Sequence, residues 1–307
     1  MLKRYTYKKI TWIDLESPTQ EELRTVMQEF DIHPLVATEL ASPTMRPRVD
    51  LYHNFAYLIL HYPSFLHNHG NHHEYGEQEV DFVVGKNFIV TAHYEMIDSI
   101  REFSKVFEVQ SMVDRNTLGD HAGFVFFHIA REMYRSLGDG LDAIGEDLEE
   151  IEEHIFEEYE KEMVRAISGV NRDLLNFRQS IRLHKDILES LELAGPDFFG
   201  AKFSPYLHSL TGEYYRVASE LENHRETLAE LRNTNDSLLS SKQNEIMKKF
   251  TIVAFATLPM SLLATMFGMN TIDTPIIGGT GDFWIIVAVM VTVFAGLFWY
   301  FRTKRWI

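Results

Sequence analysis

The stretch FTIVAFATLPMSLLATMFGMNTI (250–272) holds 23 residues and no charge, and FWIIVAVMVTVFAGLFWYF (283–301) adds 19 more. At 1.5 Å per residue these reach roughly 34 Å and 28 Å as helices. The hydrocarbon core of a bilayer is about 30 Å thick. Two buried helices in a soluble core would be the plainer reading, but a core helix rarely runs this long without charge, and a tandem pair is rarer. The spacing therefore predicts a C-terminal hairpin in the membrane: a first span at 250–270, an outer loop at 271–282 and a second span at 283–301. Lys248 and Lys249 precede the first span, Arg302, Lys304 and Arg305 follow the second, and the loop between has neither Lys nor Arg. The positive-inside rule places both termini in the cytoplasm and predicts a multi-pass protein of the cell (inner) membrane.

Working outward, the N-terminal MLKRYTYKKITWIDLE (1–16) lacks the apolar run of a signal peptide. The 307 residues suggest about two domains. With 29 Lys+Arg against 45 Asp+Glu the chain carries −16 at pH 7. That balance speaks against a nucleic-acid partner, which needs a basic face, and suits an association with cations. The absence of cysteine rules out disulfides, thiolate zinc sites and thiol catalysis.

Ahead of the spans, residues 1–115 read as an α+β cytoplasmic domain. ITWIDL (10–15), RVDLY with FAYLILHY (48–62), EVDFVVG and NFIVTAHY (79–94) have strand composition, the last two pairing across Gly85-Lys86. A helix opens after Pro18. HNHGNHHEYGE (67–77) reads as a surface loop. Residues 116–203 are helical: the run 120–193 has helical spacing, and Gly195-Pro196 ends it. A stalk helix at 204–249 opens with Ser204 as N-cap and Pro205 in its first turn. Continued into the first span, it is about 65 residues and roughly 95 Å long. Residues 302–307 form a basic cytoplasmic tail.

Two faces of that helix differ. Leu207, Leu210, Tyr214, Val217, Leu221, His224, Leu228, Leu231, Asn235 and Leu238 alternate steps of three and four, a seam that predicts packing on other helices. A second stripe includes Asn244, Met247, Thr251, Leu258, Ser261, Thr265 and Gly268 and enters the membrane without a break in spacing. Hydroxyls in a span can satisfy themselves on the i−4 carbonyl, so tolerated packing is one reading. A pore lining, with apolar constrictions at Met247 and Leu258, is the other, and it requires an oligomer because one helix encloses nothing.

Gly268-Met269-Asn270 at the outer end of the first span, then a short loop, a last span and the tail Lys304-Arg305-Trp306-Ile307, resembles the CorA family of divalent-cation channels. SKQNEIMKKFTIVAFATLPMSLLATMFGMN (241–270) resembles the family's pore helix along its whole length. WIDL (12–15), HPL (33–35), RPRVD (46–50), VVGKNFIVTAH (83–93) and FRQSIR (177–182) resemble its cytoplasmic parts. The resemblance implies a homopentameric Mg²⁺ channel or transporter, with Co²⁺ and Ni²⁺ as further candidates. Mg²⁺ is then both the transported and the regulatory ion, with no cofactor, and the partners are the lipid bilayer, divalent cations and further copies of the chain.

It also implies that Gly268, Met269 and Asn270 form the selective outer mouth. Mg²⁺ sheds its six waters reluctantly, so a ring of Asn270 amide oxygens accepting from those waters suits it. Gly268 would let the chain turn there, and Met269 is a packing residue, since a thioether is a poor ligand for a hard ion. A plain helix C-cap is the alternative for this motif. Met247, Phe250 and Leu258 fall at gate positions, with Asn244, Thr251, Ser261 and Thr265 as polar lining. The family's sensing site has an acidic residue where Asn233 falls here, with Asp236 on another face. The acidic run GEDLEEIEEHIFEEYEKEM (145–163) is either a cation attractor or a solvated helix face.

His67, His69, His72 and His73 keep open a ZntB-like zinc transporter of the same architecture. A non-conducting membrane-anchored metal sensor or scaffold is the reading from another class. No phosphate-binding loop, HExxH, GxSxG or kinase set is present, so no enzyme is expected.

Overall fold

The computed structural model describes residues 1–44, 46–66, 74–113, 120–157, 159–269 and 281–304. Chain contacts divide it into two units, Met1–Arg232 and Asn233–Ile307.

The first unit is built on a six-stranded sheet of order β1-β2-β6-β5-β4-β3. Its strands are β1 (Leu2–Tyr7), β2 (Ile10–Glu16), β3 (Arg48–Leu51), β4 (Phe55–Leu66), β5 (Glu74–Gly85) and β6 (Phe88–His93). All neighbours are antiparallel except β2 and β6, which run parallel with Ile13 beside Val90. The hairpin expected at Gly85-Lys86 forms one residue later: Val84 pairs with Ile89 and Lys86-Asn87 make the turn. A Cβ on Gly85 would lie 2.2 Å from the Phe88 ring, so any other residue would have to displace that ring. β1, which the charged sequence LKRYTY conceals, is an edge strand joined to β2 through Lys8, at φ 53°. The expected surface loop at 67–77 is shorter, because the ladder between β4 and β5 continues to Leu66 and Glu74. Backbone pairing outlasts the apolar sequence there. The remainder of that loop, with all four histidines of the cluster, lies outside the described residues.

One face of the sheet takes α1 (Gln20–Phe30) and α2 (Pro34–Glu39). Leu23, Val26 and Val36 close over Ile13, Tyr57, Ile59 and Val90. Thr19 and Glu22 form a reciprocal capping box at the start of α1, two orphan N–H donors satisfied at once. In the HPL motif, His33 is the N-cap of α2, its ring accepting from the Leu35 amide at 3.2 Å, with Pro34 in the first turn.

The other face carries α3 (Asp98–Val113), α4 (Ala122–Phe156), α5 (Glu160–Ile181) and α6 (His184–Phe199). Trp12 packs there against a tilted Phe103 and edge-on to Phe107, and Phe82 meets Phe126 edge-on. His184, fully buried, accepts from the Tyr134 hydroxyl at 2.7 Å and donates to the His61 carbonyl at 2.8 Å, joining α6, α4 and β4.

The helical run 120–193 is thus three helices, interrupted near 157–159 and 182–183. Pro196 does not end α6. It sits inside the helix, and the stop is Gly200, at φ 95°, whose amide bonds back to the Pro196 carbonyl. A proline three residues from a helix end forfeits one hydrogen bond, whereas the left-handed conformation at Gly200 reverses the chain. Ser204 is not an N-cap either. A 3-10 turn (Ala201–Phe203) leads in, and Ser204 already has helical angles.

α7 (Ser204–Phe267) is one uninterrupted helix of 64 residues, roughly 96 Å long. Within the first unit it runs beside α4 and α6. Tyr206 meets Phe124 and Phe127, Tyr214 meets Tyr134, and a Cβ on Gly195 would strike Leu207 at 2.4 Å. From Leu207 to Leu231 every residue of the predicted seam is buried except the half-buried His224. The seam is therefore filled by the same chain.

The second unit comprises the rest of α7 and α8 (Asp282–Thr303). Among the described residues, α7 and α8 are the two helices long and apolar enough to cross a membrane, and neither apolar stretch is buried.

Candidate functional site

The second stripe of α7 is uncovered. Asn244, Met247, Leu258, Ser261, Thr265 and Gly268 are exposed, with Thr251 and Ala254 half-buried between them. Successive members are three or four residues apart, so they share one face of the helix. Met247 and Leu258, 56% and 66% exposed, lie about 16 Å apart along the axis. Phe250, 71% exposed, flanks the stripe.

The hydroxyls look after themselves. Thr251 donates to the Met247 carbonyl at 2.7 Å and Thr265 to the Ser261 carbonyl at 2.8 Å. Thr257 and Thr292, off the stripe, do the same on Val253 and Ala288. Back-bonding alone therefore does not mark a pore. The stripe is distinguished by its alignment: Thr251 and Thr265 keep acceptor lone pairs on a face where Met247 and Leu258 are the large apolar members. Such a face can meet water or hydrated ions between rings of thioether and isobutyl groups, once further copies surround an axis.

At its C-terminal end, α7 stops at Phe267. Gly268 is not in the left-handed region, so the turn expected of it is not made through a positive φ. Its amide still bonds to Ala264, and an added Cβ would sit 3.1 Å from the Ala264 carbonyl oxygen. A side chain there would be tight against that carbonyl, by a few tenths of an ångström. Met269 is 59% exposed. Asn270 and the loop to 280 lie outside the described residues.

The acidic run divides by periodicity. Leu148, Ile151 and Ile155 are buried, while Glu146, Glu149, Glu150, Glu152 and Glu153 are exposed. Those five glutamates make a solvated helix face, Glu160 further along the run is buried, and among the described residues no group of three or more His, Asp or Glu side chains is placed to hold a metal ion. A groove of about 540 Å³ between α4 and α7 is lined by charges of both signs, Arg131, Arg135, Asp139, Asp142, Arg216 and Glu220 among them. Mixed charge of this kind does not select a cation.

A sheet-and-helix unit whose last helix runs on into an apolar stretch, followed by a second apolar helix, defines an integral membrane protein of two spans. The chain belongs to the CorA family: the family model described as "CorA-like Mg2+ transporter protein" matches residues 7–305. It is 24% identical over 298 residues to the "Cobalt/magnesium transport protein CorA" of Thermotoga maritima, across 97% of this chain and 83% of the relative. It superposes on the complete structure of the CorA magnesium transporter from Methanocaldococcus jannaschii with a TM-score of 0.85. The identity there is 23%, over 100% of this chain and 95% of the other. A ZntB cytoplasmic domain from Vibrio parahaemolyticus aligns over 76% of this chain and 89% of its own, at TM-score 0.56 and 13% identity. The likeness to both solved structures is one of fold.

Proposed function

We propose that this chain is the subunit of a homo-oligomeric, pentameric Mg²⁺ channel or transporter of the inner membrane, with both termini cytoplasmic. α7 lines the pore, and Co²⁺ and Ni²⁺ are further candidate ions. The observation that carries the reading is the uncovered stripe on one continuous helix, from Asn244 to Gly268, in a chain whose other α7 seam is already filled. Copies packed about an axis would bring the stripe to the centre and leave α8 toward lipid. Met247, Phe250 and Leu258 then form the apolar gate, Thr251, Ser261 and Thr265 the polar rings, and Gly268, Met269 and Asn270 the outer mouth. The relatives' names, which give magnesium and cobalt as cargo, support this choice of ion. Cytoplasmic Mg²⁺ closing the pore is part of the same proposal.

The test is Mg²⁺ flux into proteoliposomes with Zn²⁺ and Co²⁺ competitors, beside Asn270→Ala. Entry that follows the membrane potential and is lost in Asn270→Ala is the expected result. Zn²⁺ entry driven by a proton gradient with Mg²⁺ excluded would make the protein a zinc transporter. Absence of any divalent flux from a verified oligomer would leave the non-conducting sensor or scaffold.

A further inference from the structure

His61 stands on β4 directly opposite Glu79 of β5. Both of its ring nitrogens face carboxylates, Nδ1 at 3.2 Å from Glu77 Oε1 and Nε2 at 3.0 Å from Glu79 Oε2. An ionised carboxylate only accepts, so both contacts are hydrogen bonds only when both nitrogens carry protons. Glu79 has a second task. It accepts from the Thr44 amide at 2.6 Å and the Thr44 hydroxyl at 3.3 Å, tying the segment between α2 and β3 to the sheet.

On the opposite face of the sheet His93 is held in the same manner. Nδ1 donates to the Glu95 carbonyl at 2.5 Å and Nε2 faces Asp14 Oδ1 at 3.2 Å, with the Thr91 hydroxyl donating to the same oxygen. The two rings differ in what can leave them. The Asp14 side chain is 6% exposed and has nowhere to go, whereas the Glu77 side chain is 45% exposed and can turn into water.

We propose that His61, Glu77 and Glu79 form a proton-operated latch on the segment 40–44. With both ring nitrogens protonated the latch is closed. When a proton leaves, Nε2–H stays on the buried Glu79, Nδ1 presents a lone pair to Glu77, and Glu77 swings out. Glu79, 5% exposed, is then a buried carboxylate without its countercharge, and its hold on Thr44 weakens as water enters.

The other groups nearby do not take over. Arg48 on β3 is engaged by Glu39 of α2 and by Asp50. Asp81 is pushed well above the usual carboxylate range by burial and by Glu79, which disfavours a second charge there, with Tyr57 and Tyr94 beside it. His184 of α6 meets His61 at its carbonyl and not at its ring, and burial keeps His184 neutral. Burial opposes the charge on His61, but Glu79 and Glu77 outweigh it and set the ring above the ordinary imidazole range. A raised histidine stabilises below its unfolded value and loses that contribution as pH rises through the folded one. The latch is therefore closed toward acid and opens toward alkali.

Hydrogen exchange of residues 40–44 in the full chain, in lipid nanodiscs, reads the latch directly. Rates are taken at several pH values over roughly pH 6 to 9, bracketing a raised histidine, and corrected by an unstructured reference peptide. The expected result is a fall in protection with rising pH, about tenfold for each unit by which the carboxylates raise the ring. His61→Gln abolishes the step. Glu77→Gln, at a half-exposed position that does not threaten folding, moves it to lower pH. Protection independent of pH in the parent chain, or a step that survives His61→Gln or stays in place in Glu77→Gln, would overturn the proposal.

Discussion

His184 sets a sharp test of the packing between α4, α6 and β4. It is fully buried between the Tyr134 hydroxyl and the His61 carbonyl, and burial drives its pKa down to about 3. In the unfolded chain the ring titrates near 6.5. Its folded value is depressed, so the neutral ring stabilises fully above pH 6.5 and the contribution drains away as pH falls toward 3. At pH 5 the unfolded state is favoured by about 1.5 units of protonation, or about 2 kcal/mol. For a unit of 232 residues that is a shift of about 4–8 °C in Tm. The perturbation is His184→Gln, whose amide oxygen can accept from Tyr134 and whose amide N–H can donate to His61, without the proton site. Thermal unfolding of both full-length proteins in detergent at pH 7.5 and pH 5 supplies the measurement. His61 and His93 respond in the opposite sense in both proteins and cancel in the comparison. The parent should lose about 4–8 °C more than the variant on acidification. Equal losses would refute the claim that this ring is held neutral by burial.

Further outcomes follow from the two faces of α7. Leu210, fully buried in the filled seam, should cost about 2–5 kcal/mol as Leu210→Ala, read as a lowered denaturation midpoint. Leu258→Ser, on the uncovered stripe, should leave that midpoint within about 0.5 kcal/mol, yet raise Mg²⁺ leak in proteoliposomes loaded with Mg²⁺. Leak equal to the parent's would remove Leu258 from the gate. Gly268→Val places two methyls against a carbonyl already 3.1 Å from the first added carbon. It should lower flux without changing the amount of protein in the membrane, measured by quantitative blotting beside transport.

The spans, the long helix and its two faces were legible in the sequence because each is a long, strongly periodic signal. Charge-free runs and steps of three and four survive without tertiary context. The strands around Ile13, Ile59 and Val83 were legible for the same reason, being apolar on a two-residue or continuous pattern. β1 was not, since an edge strand reading LKRYTY shows solvent most of its side chains. Nor were the breaks near 157–159 and 182–183, where no proline or glycine marks the sequence. The second break sits beside His184, whose bonds to two other elements are tertiary facts. Pro196 misled because a proline signals a helix stop only when nothing nearer supplies one, and Gly200 does. The latch histidine gave no motif either. His61 and Glu79 meet only because the β4–β5 register sets them opposite, and that register is fixed by pairing along the whole hairpin.

The parallel pairing of β2 with β6 imposes an order on biosynthesis. Thr11 must find Phe88 across more than 70 intervening residues, so the β1–β2 hairpin waits, open-edged, until the last strand of the sheet has left the ribosome. Closing so long a loop is the slow entropic step of the sheet, and an unpaired strand edge is a template for wrong partners in the meantime. Yet the whole sheet lies within residues 2–93, and the first apolar span begins at 250. At a translation rate of roughly 5–20 residues per second, the nascent chain has several seconds to close its sheet before any apolar span emerges. Substitutions that slow β2–β6 closure would erode that interval first, and their damage would surface as failed delivery to the bilayer rather than as a weakened mature protein.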